Sequence, residues 1–466
     1  MDRLRRLTAG ETVARPAAAW RALLLAALLT ACAPSTAPMP DELSEAASWL
    51  QGYLRLDTTN PPGNEGLAVD YLSEILVAAE IDIERLDRGD GHPSLLATLP
   101  ATRSEPSAGT LLLLHHTDVV PAGTLWRGQP FAGELREGTL WGRGAIDSKS
   151  LGIAQLAALV ALERSGVERR QTVALLAAAD EERGGKHGVG HWLEARPELF
   201  ANVTAVLNEG GSNRGFQGRL HWWGIETVQK RPLWLEATAD SAETLIAGLR
   251  RLIDLPPSWR VSPAVQFVFS HLAPHYNQHW RPIFLDLEHH VTSSGPTTQL
   301  LPGMATFFLD SLQVNTLELS TDGRARARVD VRLLPDSDAD AWLRQIETLL
   351  GSEISLELLL TSPVTPASRW GGPIVEILKR ELSGRAPVVP QMAAGITDSR
   401  YFRQRGVPAY GFSPFILDAE LMRTVHARDE RIPAAELDRG VARMTAIVTA
   451  WATGDDQSSA TTGTTR

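Results

Sequence analysis

The stretch Leu111-Leu-Leu-Leu-His-His-Thr-Asp118 is a short apolar run that ends in a cluster of polar residues. The same arrangement recurs twice: Thr172–Ala178 leads into Ala179-Asp-Glu-Glu182, and Ala205–Leu207 leads into Asn208-Glu-Gly-Gly211. Short apolar runs followed by helical patterns are typical of buried strands in βα units. In open α/β sheets, ligands bind beyond the carboxyl ends of the strands. The sequence therefore predicts a largely parallel sheet, flanked by helices, with its polar clusters on one rim.

A glycine-rich loop, Trp141-Gly-Arg-Gly-Ala-Ile-Asp-Ser-Lys149, lies between the first two runs, and residues 150–164 after it have helical apolar spacing. The polar groups of the loop and of the strand ends follow one another at intervals of about 30 residues, the length of one βαβ step. The loop is therefore expected to contribute to the same rim.

The pattern changes to α+β from residue 230. The strand predicted at Arg324–Leu334 alternates apolar residues with Arg and Asp, as in an antiparallel sheet with one buried face. Helices are predicted at Ser241–Ile253 and Ala339–Leu350, whereas residues 255–312 form a stretch with His and Pro for which no structure is predicted. The α/β pattern resumes after Arg369, so the α+β segment is expected to be an inserted domain.

Composition limits the classes of function. The chain has 466 residues, of which 43% are hydrophobic and 21% charged, so neither intrinsic disorder nor a polytopic membrane protein is expected. The net charge is −10 and no basic stripe is present, so we expect no nucleic-acid partner. A single cysteine can form neither an internal disulfide nor a thiolate zinc site. Any metal must therefore be held by His, Asp and Glu.

The N-terminus has the layout of a signal peptide. Arginines precede the apolar run Ala22–Leu29, which is shorter than the ~20 residues needed to span a bilayer. Leu29-Thr-Ala-Cys32 resembles a bacterial lipobox, in which cleavage leaves an acylated cysteine as the first residue. We therefore expect an exported protein of the cell envelope that contacts the membrane only through a lipid on Cys32. Because Ala33 follows that cysteine, a diderm host would place it on the periplasmic side of the outer membrane. The alternative is a plain secretory signal with an incidental cysteine.

Imidazole and carboxylate groups occupy the predicted rim, and one further histidine lies late in the chain. They are His116, Asp147, Glu182, Glu209 and His426. Such a set binds a pair of borderline divalent ions. Two ions about 3.5–4 Å apart share a bridging ligand, and Asp147, with two carboxylate oxygens, is the candidate for that bridge.

Two more carboxylates lie beside these groups. Asp118 is two residues from His116, where it can orient the imidazole. Glu181 is adjacent to Glu182 and can accept a proton from metal-bound water. These positions predict an orienting residue and a general base.

Five motifs occur in a fixed order along the chain. They are Leu-His-His116-Thr-Asp118-Val-Val-Pro, Trp-Gly-Arg-Gly-Ala-Ile-Asp147-Ser-Lys, Ala-Ala-Asp-Glu181-Glu182-Arg-Gly-Gly, Asn-Glu209-Gly-Gly and Val-His426-Ala-Arg-Asp-Glu. Over residues 45–452 the chain thereby resembles the di-zinc amidohydrolases and exopeptidases that include aminoacylase, carboxypeptidase S, glutamate carboxypeptidase and succinyl-diaminopimelate desuccinylase.

The resemblance implies a domain organisation. A catalytic domain is expected at 45–229 and 363–452, interrupted by a ferredoxin-like lid or dimerisation domain at 230–362. A lipoprotein signal peptide at 1–31 and a tether at 32–44 precede it, and a disordered tail at 453–466 follows. The resemblance also implies a homodimer formed through the lid domain.

The resemblance further implies a role for each site residue. Asp147 bridges two zinc ions, of which one is completed by His116 and Glu209 and the other by Glu182 and His426. Glu181 acts as the general base and Asp118 orients His116. Asn315 of the lid, together with Asp398 and Arg400, is expected to contact the substrate. The implied reaction is hydrolysis of the amide bond of a small peptide or an N-acyl amino acid by a metal-activated water, and the choice between these two substrate classes stays open.

One family feature is missing from the sequence. Family members carry a glycine-rich turn with an oxyanion-stabilising histidine after the first lid strand, whereas Leu233–Ala239 runs directly into the helix at Ser241. A replacement histidine could come from His271, His275 or His279. The alternative function is a catalytically silent or impaired lipoprotein that binds a metal or another ligand.

Overall fold

The computed structural model describes residues 43–103, 109–216, 219–292, 304–384 and 386–454. The predicted signal peptide, Cys32 and nearly all of the predicted tether and tail lie outside these residues. Within the described part of the chain, no helix is both long and apolar enough to cross a membrane.

Sixteen strands lie in the described part of the chain. They are β1 (Asp82–Leu86), β2 (Ser94–Leu99), β3 (Thr110–His116), β4 (Glu134–Arg136), β5 (Thr139–Trp141), β6 (Thr172–Ala178), β7 (Val203–Asn208), β8 (Arg214–Phe216), β9 (Arg219–Gln229), β10 (Arg231–Ala239), β11 (Ser311–Leu319), β12 (Ala325–Leu333), β13 (Ile354–Thr361), β14 (Val388–Ala393), β15 (Ala409–Gly411) and β16 (Arg431–Pro433).

Thirteen α-helices accompany these strands in the described segments. They are α1 (Glu45–Leu54), α2 (Glu65–Ala78), α3 (Lys149–Arg164), α4 (Val189–Ala195), α5 (Ala242–Ile253), α6 (Pro263–Leu272), α7 (Trp280–Leu285), α8 (Leu287–Thr292), α9 (Ala339–Leu350), α10 (Pro373–Leu382), α11 (Ser399–Gln404), α12 (Ala419–Met422) and α13 (Ala434–Thr453).

The main sheet has the strand order β1-β2-β6-β3-β7-β15-β9-β14, with β8 beside β9. Its centre is parallel, because β3 pairs in parallel with β6 and β7, and β15 pairs in parallel with β7. Strand β3 is buried on both faces. Leu111 and Leu113 face the core that includes α3 and α13, whereas Leu112 and Leu114 face the core that includes α4 and α11. This two-sided burial explains why β3 reads as a continuous run of leucines.

A second, four-stranded sheet forms the inserted domain, which we call the lid. Its strands lie in the order β11-β12-β10-β13 and all pair antiparallel, with α5 and α9 completing a βαββαβ unit. Alternate residues of β12, from Ala325 to Leu333, pack in one core with Leu249 of α5 and Ile346 of α9. The predicted fold class, a largely parallel sheet with an inserted ferredoxin-like domain, is confirmed.

A small three-stranded sheet, β16-β5-β4, joins two distant parts of the sequence. Its register pairs Trp141 with Arg431. Trp141 begins the glycine-rich loop and Arg431 directly follows the motif that contains His426, so this pairing brings the two motifs together.

The stretch 255–312, for which the sequence predicted no structure, contains helices α6 to α8. Helix α6 begins at a Ser262 N-cap followed by Pro263, and its buried residues Val265, Val268, Phe269 and Leu272 have helical spacing. They pack in a separate apolar core that includes Trp222 and Met392 of the main sheet. We call residues 255–292 and 304–310 the helical insert. The start signals of α6 were present in the sequence, but the repeated prolines and short helices obscured the periodicity.

Candidate metal centre

The rim of the main sheet carries the predicted site residues. β3 ends at His116, β7 ends one residue before Glu209, and a 3₁₀ turn containing Glu182 follows β6 after Ala178. Asp147 lies at the end of the glycine-rich loop, just before α3, and His426 lies in the loop between α12 and β16. The structure therefore brings together residues that span more than 300 positions of sequence.

Asp147 lies between two pairs of side chains. Its Oδ1 is 3.1 Å from Nε2 of His116, and that nitrogen is 3.3 Å from Oε2 of Glu209. Its Oδ2 is 3.0 Å from Nε2 of His426, and this second nitrogen is 3.2 Å from Oε1 of Glu182. Each oxygen of one carboxylate therefore faces its own His–Glu pair, which is the arrangement of a bridging ligand.

The His116 ring is oriented by Asp118, but through the backbone. His116 Nδ1 donates to the Asp118 carbonyl oxygen at 2.8 Å, which leaves Nε2 with its lone pair pointing at the other site groups. The nearest carboxylate oxygen of Asp118 is 3.7 Å from Nδ1, too far for a hydrogen bond. The expected contact is thus made by the carbonyl group rather than by the side chain.

The Asp118 carboxylate positions the two adjacent glutamates instead. Its oxygens accept the backbone N–H groups of Glu181 at 3.1 Å and Glu182 at 3.2 Å, and the side-chain amide of Asn60 at 2.9 Å. This fully buried carboxylate therefore fixes the turn that carries both residues.

Burial and mutual repulsion perturb the carboxylates of the site. Burial raises the pKa of Glu209 to about 8. Burial, reinforced by the charge of Glu209, raises the pKa of Glu181 well above its usual value. Asp147 behaves differently: although burial alone would raise its pKa, the imidazoles of His116 and His426 hold it well below its usual range. Four carboxylates are thus crowded around two imidazoles, and nearby cations would relieve this excess of negative charge.

The donor atoms also lie close enough together to coordinate metal ions. Ligand atoms of His116, Asp147 and Glu182 all lie within 4.8 Å of one another, and so do those of His116, Glu181 and Glu209. Oε1 of Glu182 is buried, and although Nε2 of His426 lies 3.2 Å away, the contact does not have the geometry of a hydrogen bond. A buried carboxylate oxygen without a donor is costly unless a cation binds there. The cluster therefore fits divalent ions.

Glu430 is a structural residue of the site that sequence reasoning did not assign. Its buried carboxylate accepts the backbone N–H groups of Gly144, Ile146 and Asp147 at 2.9, 2.8 and 3.0 Å, and Nη1 of Arg143 donates to it at 2.7 Å. Glu430 thus holds the glycine-rich loop that presents Asp147. A carboxylate four residues after His426, within the same motif, was the available signal.

A cavity of about 500 Å³, which we call the rim cavity, separates these residues from the lid. The lid contributes Asn315 and the polar face of β12, including Arg328, Asp330 and Arg332. The structure therefore places Asn315 on the lid wall of the cavity that the metal-centre residues also line. Arg328 was not singled out from the sequence, although its place in the alternating pattern of β12 predicted an outward side chain.

The structure does not bring Asp398 and Arg400 to the rim cavity. Both are buried behind its wall, which Gly395 to Thr397 form. Nη1 of Arg400 donates to the Thr397 carbonyl oxygen at 2.8 Å, and burial raises the pKa of Asp398 to about 7. In these positions, Asp398 and Arg400 can stabilise the wall of the rim cavity but do not face a substrate bound in it.

The three candidate replacement histidines also lie away from the rim cavity. His271 belongs to α6, where its Nδ1 bonds to the Phe267 carbonyl oxygen at 2.9 Å, and His275 and His279 follow in the helical insert. None of the three lines the rim cavity in the described part of this chain. Within one chain, they therefore do not supply the missing oxyanion donor.

A family model described as peptidase family M20/M25/M40 matches residues 112–450. The chain belongs to this family. Human aminoacylase-1 is 27% identical over 435 residues, covering 90% of this chain and 98% of aminoacylase-1. Succinyl-diaminopimelate desuccinylase of Paracoccus denitrificans is 27% identical over 427 residues, covering 87% of this chain and 97% of the desuccinylase.

A solved M20 structure has the same fold. The metallo-carboxypeptidase of Sulfolobus solfataricus matches with a TM-score of 0.65 and 18% identity, covering 88% of this chain and 99% of the carboxypeptidase. As a member of the M20 family, the chain is a hydrolase related to enzymes that act on peptides and acyl amino acids.

Glu430→Gln is predicted to weaken divalent-ion binding about 10–100-fold. A carboxamide has one acceptor oxygen, so it cannot hold all the N–H groups that fix the loop before Asp147. The measurement is competition with a chromogenic chelator. Glu420→Gln is the control, because Glu420 pairs with Arg431 at the surface. Wild-type affinity in a correctly folded Glu430→Gln protein would show that this carboxylate does not position the site.

Proposed function

We propose that this M20 hydrolase cleaves the amide bond of N-acyl amino acids or small peptides with the help of two divalent ions, most simply zinc. The observation that carries the proposal is the position of Asp147, whose two oxygens face separate His–Glu pairs. His116 and Glu209 would complete one ion site, and Glu182 and His426 the other. Imidazole and carboxylate ligands suit zinc.

A pair of ions at this place would lower the pKa of a water molecule and polarise the amide carbonyl group of the substrate. Side chains of the protein would transfer the protons and position the reacting groups. Glu181 lies beside the ligand cluster, and its raised pKa suits a group that accepts a proton and later donates it to the leaving amine. The hydrogen bond from the backbone N–H of Glu181 to the Asp118 carboxylate fixes the turn that carries Glu181.

The lid would bind the substrate carboxylate. Arg328 lines the rim cavity opposite the metal centre and forms no hydrogen bond or ion pair with the described residues. A guanidinium group can hold a carboxylate through two parallel hydrogen bonds. Both candidate substrate classes, N-acyl amino acids and peptides with a free C-terminus, carry such a carboxylate next to the scissile amide. Asn315, on the same wall, is proposed to contact the substrate as well.

The test is amine release from a panel of dipeptides and N-acyl amino acids by protein loaded with zinc or cobalt. The proposal expects turnover that a chelator abolishes and that added metal restores. The alternative function is a catalytically silent or impaired protein that binds a metal or another ligand. The missing lid histidine favours it, because loss of one oxyanion donor typically lowers kcat by ~10²–10³-fold. Metal binding without turnover of any panel member would support that alternative.

Glu181→Gln is predicted to lower kcat by about 10²–10⁴-fold while metal content stays unchanged. The amide preserves the shape of the side chain but cannot accept the proton. Glu194→Gln serves as the control, because Glu194 is an exposed glutamate on α4. A loss of less than about tenfold at full metal content would remove Glu181 from the role of general base.

A homodimer through the lid stays a prediction. Strand β11 is one of the two edge strands of the lid sheet, and its Leu317 and Leu319 are exposed. An exposed edge strand with apolar side chains can pair with a second chain. Such pairing would extend the lid sheet across two copies.

Lipid anchoring is likewise a proposal, and it rests on the sequence around Cys32. We expect Cys32→Ser to leave amide hydrolysis unchanged but to move the protein from the membrane fraction to the soluble fraction. Fractionation and intact-mass analysis check this. Wild-type protein released by osmotic shock, with no mass added at Cys32, would contradict the anchor.

A further inference from the structure

A second cavity of about 160 Å³, the insert cavity, lies between the helical insert and the main sheet. Helix α6 contributes Val265, Val268 and Leu272 to its wall, and the sheet contributes Trp222 and Met392. All five side chains are buried. A concave, mostly apolar wall with a few polar side chains, close to a functional site, is characteristic of ligand-binding sites.

The insert cavity is adjacent to the rim cavity along two segments of the chain. Gly210 lines the rim cavity and Ser212 lines the insert cavity, two residues further on. On β14, Ala393 lines the rim cavity while Met392 lines the insert cavity. The two cavities therefore share both the segment that follows Glu209 and the end of β14.

The polar side chains in the wall lie where these shared segments meet. Ser212 Oγ donates to Oε1 of Gln391 at 2.8 Å, so the two groups satisfy each other. Among the described residues, the remaining lining is aliphatic, aromatic or methionine, and none of these side chains is charged. The described lining therefore suits an apolar ligand, and the exposed Ser–Gln pair lies on the segments that the insert cavity shares with the rim cavity.

We propose that the insert cavity binds the apolar acyl arm of an N-acyl amino acid substrate. The inference rests on the proposed function, because the amino-acid carboxylate is assigned to Arg328 on the lid and the acyl arm is the end that remains. An apolar cavity of about 150 Å³ is large enough to take up benzene, so the insert cavity suits an arm of about six to eight carbons. The substrate class is thus a medium-chain or aryl N-acyl amino acid rather than an N-acetyl one.

Kinetics with matched substrates test this assignment. For N-acetyl and N-octanoyl derivatives of the same amino acid, wild-type kcat/KM is expected to favour the octanoyl substrate by at least about tenfold. Val268→Phe fills the cavity and should remove that preference, while kcat/KM for the N-acetyl substrate changes by less than about twofold. Met392→Phe, from the opposite wall, makes the same test if Val268→Phe does not fold.

The control variant is Phe267→Trp, on the same helix. Phe267 is partly exposed, and its ring packs on His271 outside the insert cavity. The Phe267→Trp variant should keep the wild-type preference for the octanoyl substrate. An equal acyl preference in wild type, Val268→Phe and Met392→Phe would overturn the proposal. So would a change in selectivity among amino-acid side chains instead of acyl chains, because the occupant would then be the other end of the substrate.

A binding measurement separates this inference from the proposed function. A ligand that binds the folded state raises Tm, so octanoate should raise the Tm of wild type but not of Val268→Phe, and acetate should affect neither. If no amide is hydrolysed and octanoate still stabilises wild type selectively, the proposed function fails and the apolar site stands. If amides are hydrolysed without acyl preference and octanoate has no effect, the apolar site fails and the hydrolase stands.

Discussion

The geometry of the site depends on a cluster of negatively charged side chains around the carboxylate of Asp147. Asp147 places each of its oxygens about 3 Å from a different imidazole, and Glu182 and Glu209 complete the two groups. Like charges this close raise the pKa of some members and would be costly to keep ionised without cations. The surrounding fold must therefore hold these carboxylates close together against their mutual repulsion.

Two buried carboxylates outside the ligand set provide much of that constraint. Glu430 receives three backbone N–H groups of the glycine-rich loop and thereby fixes Asp147. Asp118 receives the N–H groups of Glu181 and Glu182 and, through its carbonyl oxygen, the Nδ1 proton of His116. Groups of this kind orient metal ligands, and their mutation typically costs about 10–100-fold in metal affinity or activity. The small sheet that pairs Trp141 with Arg431 joins the two motifs that Glu430 connects.

The sequence predicted the parallel sheet, the alternating lid strand and the positions of α5 and α9, because each depends on local periodicity and capping. It also predicted which residues meet at the rim, since strand ends of a parallel sheet converge. It did not predict that Asp118 contacts His116 through its carbonyl group, because side-chain and backbone acceptors two residues apart look alike in a sequence. The burial of Asp398 and Arg400 likewise depends on packing against Gly184 and Gly185, distant in sequence. The insert cavity arises only when α6 meets β9 and β14, so no local pattern could reveal it.

The central claim is that Asp147 serves two ions at once, and metal stoichiometry tests it most directly. Elemental analysis of purified, correctly folded wild type, Asp147→Ala and Glu182→Ala should give two ions per chain, close to none, and close to one, because a shared ligand supports both sites while a terminal ligand supports one. Retention of two ions per chain by Asp147→Ala would contradict the account.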